Sequence, residues 1–323
     1  MNEEKRIPIT TANSYYRKLF GSKVYKVSLD IGCTCPNRDG TLGTGGCIFC
    51  SAGGSGEFAG DSDKSVTEQI NDAIRLVEAK MPSSSKTNHR DDPEGNSHSA
   101  SSNKYIAYLQ AFSNSYGDVE TLQEKYLEAV NHPDIVGLSI ATRPDCLSDE
   151  ILDVICTINR THHVWVELGL QTIHESSAEY IRRGYSLDIY DEAMRRLSEC
   201  GIDVITHVIL GLPTESVDMM LETLDYVGKM SEKYNNITHG IKLQLLHVLK
   251  GTDLEKDYNK GLFETLSLEE YVDIVHKSLS VLPRDVVIHR MTGDGDKKLL
   301  VSPKWSANKK LVINELSKLY YVE

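Results

Sequence analysis

No stretch of this chain reaches the ~18 apolar residues that a membrane helix needs, and its opening residues, MNEEKRIPITT, carry no apolar segment of the kind that targets secretion. The expectation is a soluble, cytoplasmic protein with no membrane partner. Basic charge is scarce too: 35 Lys and Arg face 47 Asp and Glu, a net charge of -12. That balance argues against an all-over electrostatic grip on nucleic acid and leaves room only for a local basic groove. Residues 82–103 contain seven serines and no Val, Ile, Leu, Phe or Tyr, so burial cannot offset their ordering entropy. They read as a mobile loop. In a reducing compartment seven cysteines, an odd number, do not suit a disulfide framework, and clustered ones point instead to metal or to chemistry.

What is present is a core. Of 323 residues 40% are hydrophobic, and from residue 24 onward short apolar runs alternate with helical patterns. Residues 24–31, 105–111, 135–141, 164–170, 202–210 and 242–249 read as buried strands. Between them 66–80, 118–130, 148–158, 187–200 and 216–230 carry apolar residues at helical spacing, with helix starts marked at Asp118 and Ser148. Repeated βαβ units imply a parallel sheet, which fits a closed barrel, an open doubly wound sheet or a partial barrel. After residue 250 the alternation weakens into a helix near 267–280, a strand at 285–291 and a helix from about 306. The division is a core over 1–250 and a C-terminal α+β extension over 251–323.

The loop after the first strand, DIGCTCPNRDGTLGTGGCIFC, holds Cys33, Cys35, Cys47 and Cys50. Chemistry in parallel α/β folds sits at this end of the strands. Four thiolates suit structural zinc; three suit a cluster with one open iron. Cys33 and Cys35 form a C-x-C pair, which sends its side chains in opposing directions in an extended segment, whereas zinc knuckles space their pairs by two to four residues. The three-thiolate reading of Cys35, Cys47 and Cys50 therefore gains weight. A colourless zinc-stabilised binding protein remains the reading from another class.

The loop resembles the radical S-adenosylmethionine (SAM) superfamily, in the branch of the Elongator catalytic subunit and the bacterial YhcC/YtqA-like proteins. CPNRDG at 35–40 and GGCIFC at 45–50 carry the resemblance, together with VELGLQ at 166–171, RRGY at 182–185, THVILGLP at 206–213 and the HRMTGDGDKKLLVSPKW stretch at 289–305. The resemblance implies a partial (β/α)6 TIM-like barrel. It also implies a 4Fe-4S cluster on the three cysteines, and SAM cleaved to a 5'-deoxyadenosyl radical. By that likeness Gln171, Arg183 and His207 contact SAM, and Gln110 and Asn114 stand in for an acidic motif missing after the second strand. Tyr185 replaces the family's histidine.

Glu167, a carboxylate inside an apolar strand, is costly to bury alone. It reads as facing the cofactor or pairing with one of the two neighbouring arginines. Arg143 offers a bidentate fork for a carboxylate, and Tyr116 a substrate contact. Cys146, Cys156 and Cys200 read as packing residues and Cys33 as a bystander. Lys297, Lys298, Lys304, Lys309 and Lys310 form the densest basic stretch, which with Trp305 suits a phosphate backbone and a base. The resemblance implies an enzyme that modifies the C5 substituent of the tRNA wobble uridine, converting carboxymethylaminomethyl to aminomethyl, with tRNA and a one-electron reductant such as flavodoxin or ferredoxin as partners. Action on a small molecule or porphyrin is the second enzymatic reading.

Overall fold

The computed structural model describes residues 6–54, 56–81, 103–293 and 295–322. The expected mobile loop, but for Asn103, and Asp294 lie outside them. In chain order come β1 (Ile7–Thr11), α1 (Ala12–Phe20), β2 (Val24–Leu29), α2 (Val66–Ala79), β3 (Lys104–Leu109), α3 (Val119–Val130), β4 (Ile135–Thr142), α4 (Asp149–Asn159), β5 (His163–Gln171), α5 (Glu175–Tyr180), α6 (Leu187–Glu199), β6 (Asp203–Leu210), α7 (Val217–Lys233) and β7 (His239–Leu245). The remainder is β8 (Val248–Leu249), α8 (Asp253–Asn259), α9 (Leu268–Val281), β9 (Val287–Arg290), β10 (Leu300–Ser302), α10 (Lys309–Leu316) and β11 (Tyr320–Val322).

One sheet takes nine of these strands in the order β11-β1-β9-β7-β6-β5-β4-β3-β2, every pairing parallel. β2 to β7 are the six strands expected from the apolar runs, joined in sequence by helices. This α/β arrangement is a partial barrel. Helices begin where the sequence marks them: the Ser65, Asp118 and Ser148 side chains each accept a hydrogen bond from the backbone N–H three residues on. Val66, Ile70 and Ile74 form one buried face of α2 at four-residue spacing.

Three features depart from expectation. β1, a short strand near the N-terminus, wedges between β9 and β11 of the C-terminal segment, pairing Thr10 with Val287 and Ile7 with Tyr320. The run 242–249 divides in two, because β8 leaves the sheet at His247 to pair antiparallel with β10. Cys156 on α4 and Cys200 at the end of α6 are joined by a disulfide, so these two are not free packing thiols. Among the described residues no helix is long and apolar enough to cross a membrane.

Candidate active site

The cysteine loop is held by its own backbone. Cys35 O accepts from Arg38 N at 2.8 Å and Asp39 N at 3.1 Å, and Cys47 O accepts from Cys50 N at 3.0 Å. Asn37 is buried and its amide donates to Arg182 O at 2.7 Å and Arg183 O at 3.3 Å, fastening the loop to the turn after α5. Arg38 reaches across to Cys50 O at 3.0 Å and Ser51 O at 2.5 Å. Two glycines make this close approach possible. Gly46 sits at φ 69 with Arg38 Nε 2.9 Å from where a Cβ would stand, and Gly184 at φ 81 with Asn37 Oδ1 at 2.8 Å.

Cys35, Cys47 and Cys50 line one cavity. Cys33 does not; it packs against the main hydrophobic core, where burial pushes its thiol up to about 12. The four thiols are thus divided three and one, which is not a zinc site with four thiolate ligands. Burial, with Cys50 next in effect, pushes the Cys47 thiol up to about 11, and burial likewise raises Cys50 against the pull of Arg38. Thiols this buried remain protonated unless a cationic centre draws off the proton. Among the described residues no three His, Cys, Asp or Glu side chains are grouped to hold a single metal ion.

The opposite rim comes from the end of β5. Gln171 adopts φ 67, a left-handed conformation that non-glycine residues tolerate poorly. Its side chain lines the cavity, and its Oε1 is buried with no hydrogen-bond partner among the described residues. Gly169 leaves the space for that amide, since a Cβ there would sit 2.9 Å from Gln171 Nε2. Arg183 also lines the cavity, but its donors hold the chain: Nη1 to Thr172 O at 2.6 Å and Leu170 O at 3.3 Å, Nε to Tyr185 O at 2.9 Å. Tyr185 lies between the guanidinium groups of Arg143 and Arg183, each 4.9 Å from its ring centre, and its hydroxyl donates to Gly169 O. Arg143 turns its fork onto Asp145, at 2.9 and 2.7 Å.

The cavity floor is built on Glu167, whose side chain is fully buried. It accepts from Ser139 Oγ at 2.6 Å, Lys26 Nζ at 2.6 Å, His207 Nε2 at 2.7 Å and Lys242 Nζ. Its partners are lysines from β2 and β7, not the arginines that the sequence suggested. Burial alone would raise the Glu167 carboxyl; Lys242, Lys26 and His207 outweigh it and hold the group well below its usual range. One carboxylate cannot neutralise two ammonium groups. Burial, with Lys26 and Arg290 adding repulsion, brings Lys242 down to about 7 despite the pull of Glu167. Burial and Lys242 hold His207 neutral, with a pKa of about 4. Tyr108 receives Lys242 Nζ on its hydroxyl at 3.1 Å and turns its ring to both lysines, at 4.5 and 4.9 Å. Tyr108, Glu167, His207 and Arg290 face the cavity.

Of the remaining expected residues, Gln110 lines the cavity. Asn114 is fully buried behind the wall, its amide donating to Leu109 O at 3.0 Å and Ala141 O at 2.9 Å. Tyr116 bonds Thr41 Oγ1 at 2.9 Å, on the outer side of the cysteine loop. Lys26, Tyr108, Ser139, Lys242 and His247 were not anticipated. A signal existed for the lysines: each interrupts an apolar strand, as Glu167 does.

Residues 35–227 match the Radical SAM superfamily and residues 238–320 the Radical_SAM C-terminal domain. Uncharacterized protein YtqA of Bacillus subtilis is 43% identical over 98% of this chain and 90% of its own length. The tRNA uridine(34) acetyltransferase of Methanocaldococcus jannaschii is 26% identical over 55% of this chain and 32% of its own. In structure, Elp3 of Methanocaldococcus infernus superposes over 91% of this chain and 63% of its own with a TM-score of 0.63 and 19% identity, a likeness of fold. With the superfamily match covering more than half of the chain and YtqA matched over nearly its whole length, the chain belongs to the radical SAM superfamily, enzymes that work with a 4Fe-4S cluster and SAM.

Proposed function

We propose that the enzyme acts on the C5 substituent of the tRNA wobble uridine, converting carboxymethylaminomethyl to aminomethyl. The observation that supports this is the group of basic side chains gathered around the buried Glu167 carboxylate. Lys26 and Lys242 share one carboxylate, and Arg290 adds its field from the cavity wall. A substrate bearing its own carboxylate suits such a floor. The M. jannaschii relative named for tRNA uridine(34) supports the choice of nucleoside.

The residues present fit the family's cofactors: three thiols on one wall, with Cys47 and Cys50 raised by burial, and an orphaned buried acceptor on Gln171. Cys35, Cys47 and Cys50 would hold the cluster, while Gln110, Gln171, Arg183 and His207 would meet SAM. When bound, these cofactors would supply a two-electron oxidation, taking one hydrogen atom and then one electron from the substrate while its N–H gives a proton to solvent. The methylene between nitrogen and carboxylate thereby becomes a C=N bond, which water cleaves to the aminomethyl group and glyoxylate. Arg143, held by Asp145, and Arg290 both line the cavity, and either guanidinium would take the substrate carboxylate. Glu167 and Asn114 act from behind the wall, the first fixing Lys242 and His207, the second tying β3 to β4. The reading places the enzyme in the cytoplasm with a flavodoxin- or ferredoxin-type reductant.

Nucleosides of tRNA from cells with and without the gene test it. Loss should accumulate carboxymethylaminomethyluridine at the expense of the aminomethyl form, and the reconstituted protein should release glyoxylate with 5'-deoxyadenosine. Unchanged wobble uridines would remove the substrate reading and leave the cofactor chemistry standing.

A further inference from the structure

Apart from Arg290, the HRMTGDGDKKLLVSPKW stretch has no part in the chemistry above, yet two of its glycines press on His247 of the cavity wall. A Cβ on Gly293 would stand 2.3 Å from His247 Nε2, and one on Gly295 2.9 Å from His247 Nδ1. His247 and Gly295 both line the cavity. Beyond them β10 pairs with β8, whose Leu249 is also on the wall, and Lys250 N donates to Leu299 O at 2.7 Å. Gly295, at the head of the lysine-bearing segment, therefore lies on the cavity wall, and β10 further along pairs with the strand that carries Leu249.

Its charge is opposite to that of the protein. Between Lys297 and Asn314 there are five lysines and no Asp or Glu, in a chain whose net charge is -12. Lys297, Lys298, Lys304, Lys309 and Lys310 are all exposed. α10 is joined to β11 by three residues, and Lys309 and Lys310 sit in its first turn, at the end of the helix away from β11. For the helix itself a cation in this first turn, at its positive end, is unfavourable. Trp305 is not a free aromatic for stacking, because its indole donates to Leu266 O at 2.9 Å and packs against Tyr271 at 5.8 Å. It anchors the strip instead.

We propose that the strip 297–310 is the surface on which the tRNA phosphate backbone rests while the wobble nucleoside enters the cavity. This assignment rests on the tRNA reading above. It explains how an acidic protein holds a polyanion: contact is confined to one lysine strip that starts at the cavity wall, and each lysine meeting a phosphate releases a condensed counterion.

The test is the salt dependence of tRNA binding to the cluster-loaded protein and to the quadruple variant Lys297→Glu, Lys298→Glu, Lys309→Glu, Lys310→Glu. These side chains are exposed, and acids at the start of α10 favour the helix, so the variant should fold with unchanged iron content and uncoupled SAM cleavage. Wild type should lose affinity steeply with salt, and the variant's log–log slope should be shallower by roughly 0.7–0.9 for each lysine that meets a phosphate. A variant that keeps the wild-type slope overturns the strip and leaves the tRNA reading intact. A wild-type protein that ignores tRNA overturns both. One that ignores tRNA and binds phosphatidylglycerol vesicles through these lysines assigns the strip to a membrane surface.

Discussion

The two sides of the cavity are built by opposite means. The cysteine side is a single loop, shaped by backbone hydrogen bonds, glycines and one buried amide, Asn37. The floor is made of single side chains sent in by different strands: Lys26 from β2, Tyr108 from β3, Ser139 from β4, Glu167 from β5, His207 from β6 and Lys242 from β7. A loop can place three thiols for a cluster because their spacing along the chain sets their spacing in space. A floor of charges needs the whole barrel to be assembled first. The cysteine side should therefore fail locally and the floor globally.

The largest effect should come from the thiols. Replacing Cys35, Cys47 or Cys50 with Ala is expected to abolish 5'-deoxyadenosine formation and strip the iron, with the urea midpoint of the apoprotein little changed. Cys33→Ala, whose side chain faces the core and not the cavity, should keep iron and SAM cleavage. Iron analysis and product chromatography on the four variants check this; loss of iron in the Cys33 variant would erase the three-and-one division. The floor comes next. Glu167→Gln leaves Lys26 and Lys242 without their counter-ion in a buried site, a change that costs about 3–5 kcal/mol. Urea unfolding of the apoprotein should register it. A loss below about 1 kcal/mol would mean that solvent reaches the network.

This contrast also governs what was legible beforehand. The six barrel strands and five of the helices announce themselves as apolar runs and helical spacing, and the cysteine loop as a contiguous motif. β1 and β11 are short and their pairing joins the two ends of the chain, which no local pattern specifies. Cys156 and Cys200 meet only because α4 and α6 bring their Cα atoms to 5.6 Å across 44 residues. Lys26 and Lys242 lie 141 and 75 residues from Glu167, yet the cost of burying Glu167 requires a cation partner. Arg182 and Arg183 are nearer to it in sequence. Arg183 was already committed to backbone carbonyls, a fate that only the folded turn reveals.

A smaller effect tests how tightly the loop is fastened. Gly184→Ala asks a β-carbon to stand 2.8 Å from Asn37 Oδ1 at φ 81. Holding an L-residue there costs about 1–2 kcal/mol before the clash is counted. The expected result is a modest fall in melting temperature together with a disproportionate loss of iron, since Asn37 ties the loop to this turn. Gly201→Ala, at φ 66 with open space around it, should lose similar stability and no iron.

The smallest effect concerns pH and belongs to the floor alone. An unfolded lysine titrates near 10.4, whereas Lys242, buried among Lys26, Glu167, His207, His289, Arg290 and Tyr108, titrates at about 7. Between those values the unfolded chain holds a proton that the folded one has given up, so raising pH favours the folded state. Stability gains up to about 1.4 kcal/mol per pH unit from this group, a gain complete by roughly pH 10. The buried thiols of Cys33 and Cys47 work the other way, because their raised values favour the folded state only until pH climbs through them. The measurement is therefore a difference: urea unfolding from pH 7 to 9 for the wild type minus Lys242→Met, in which the thiol contributions cancel. The difference should rise with pH. Parallel curves would show that Lys242 keeps its proton throughout, and that Glu167 satisfies both lysines at once.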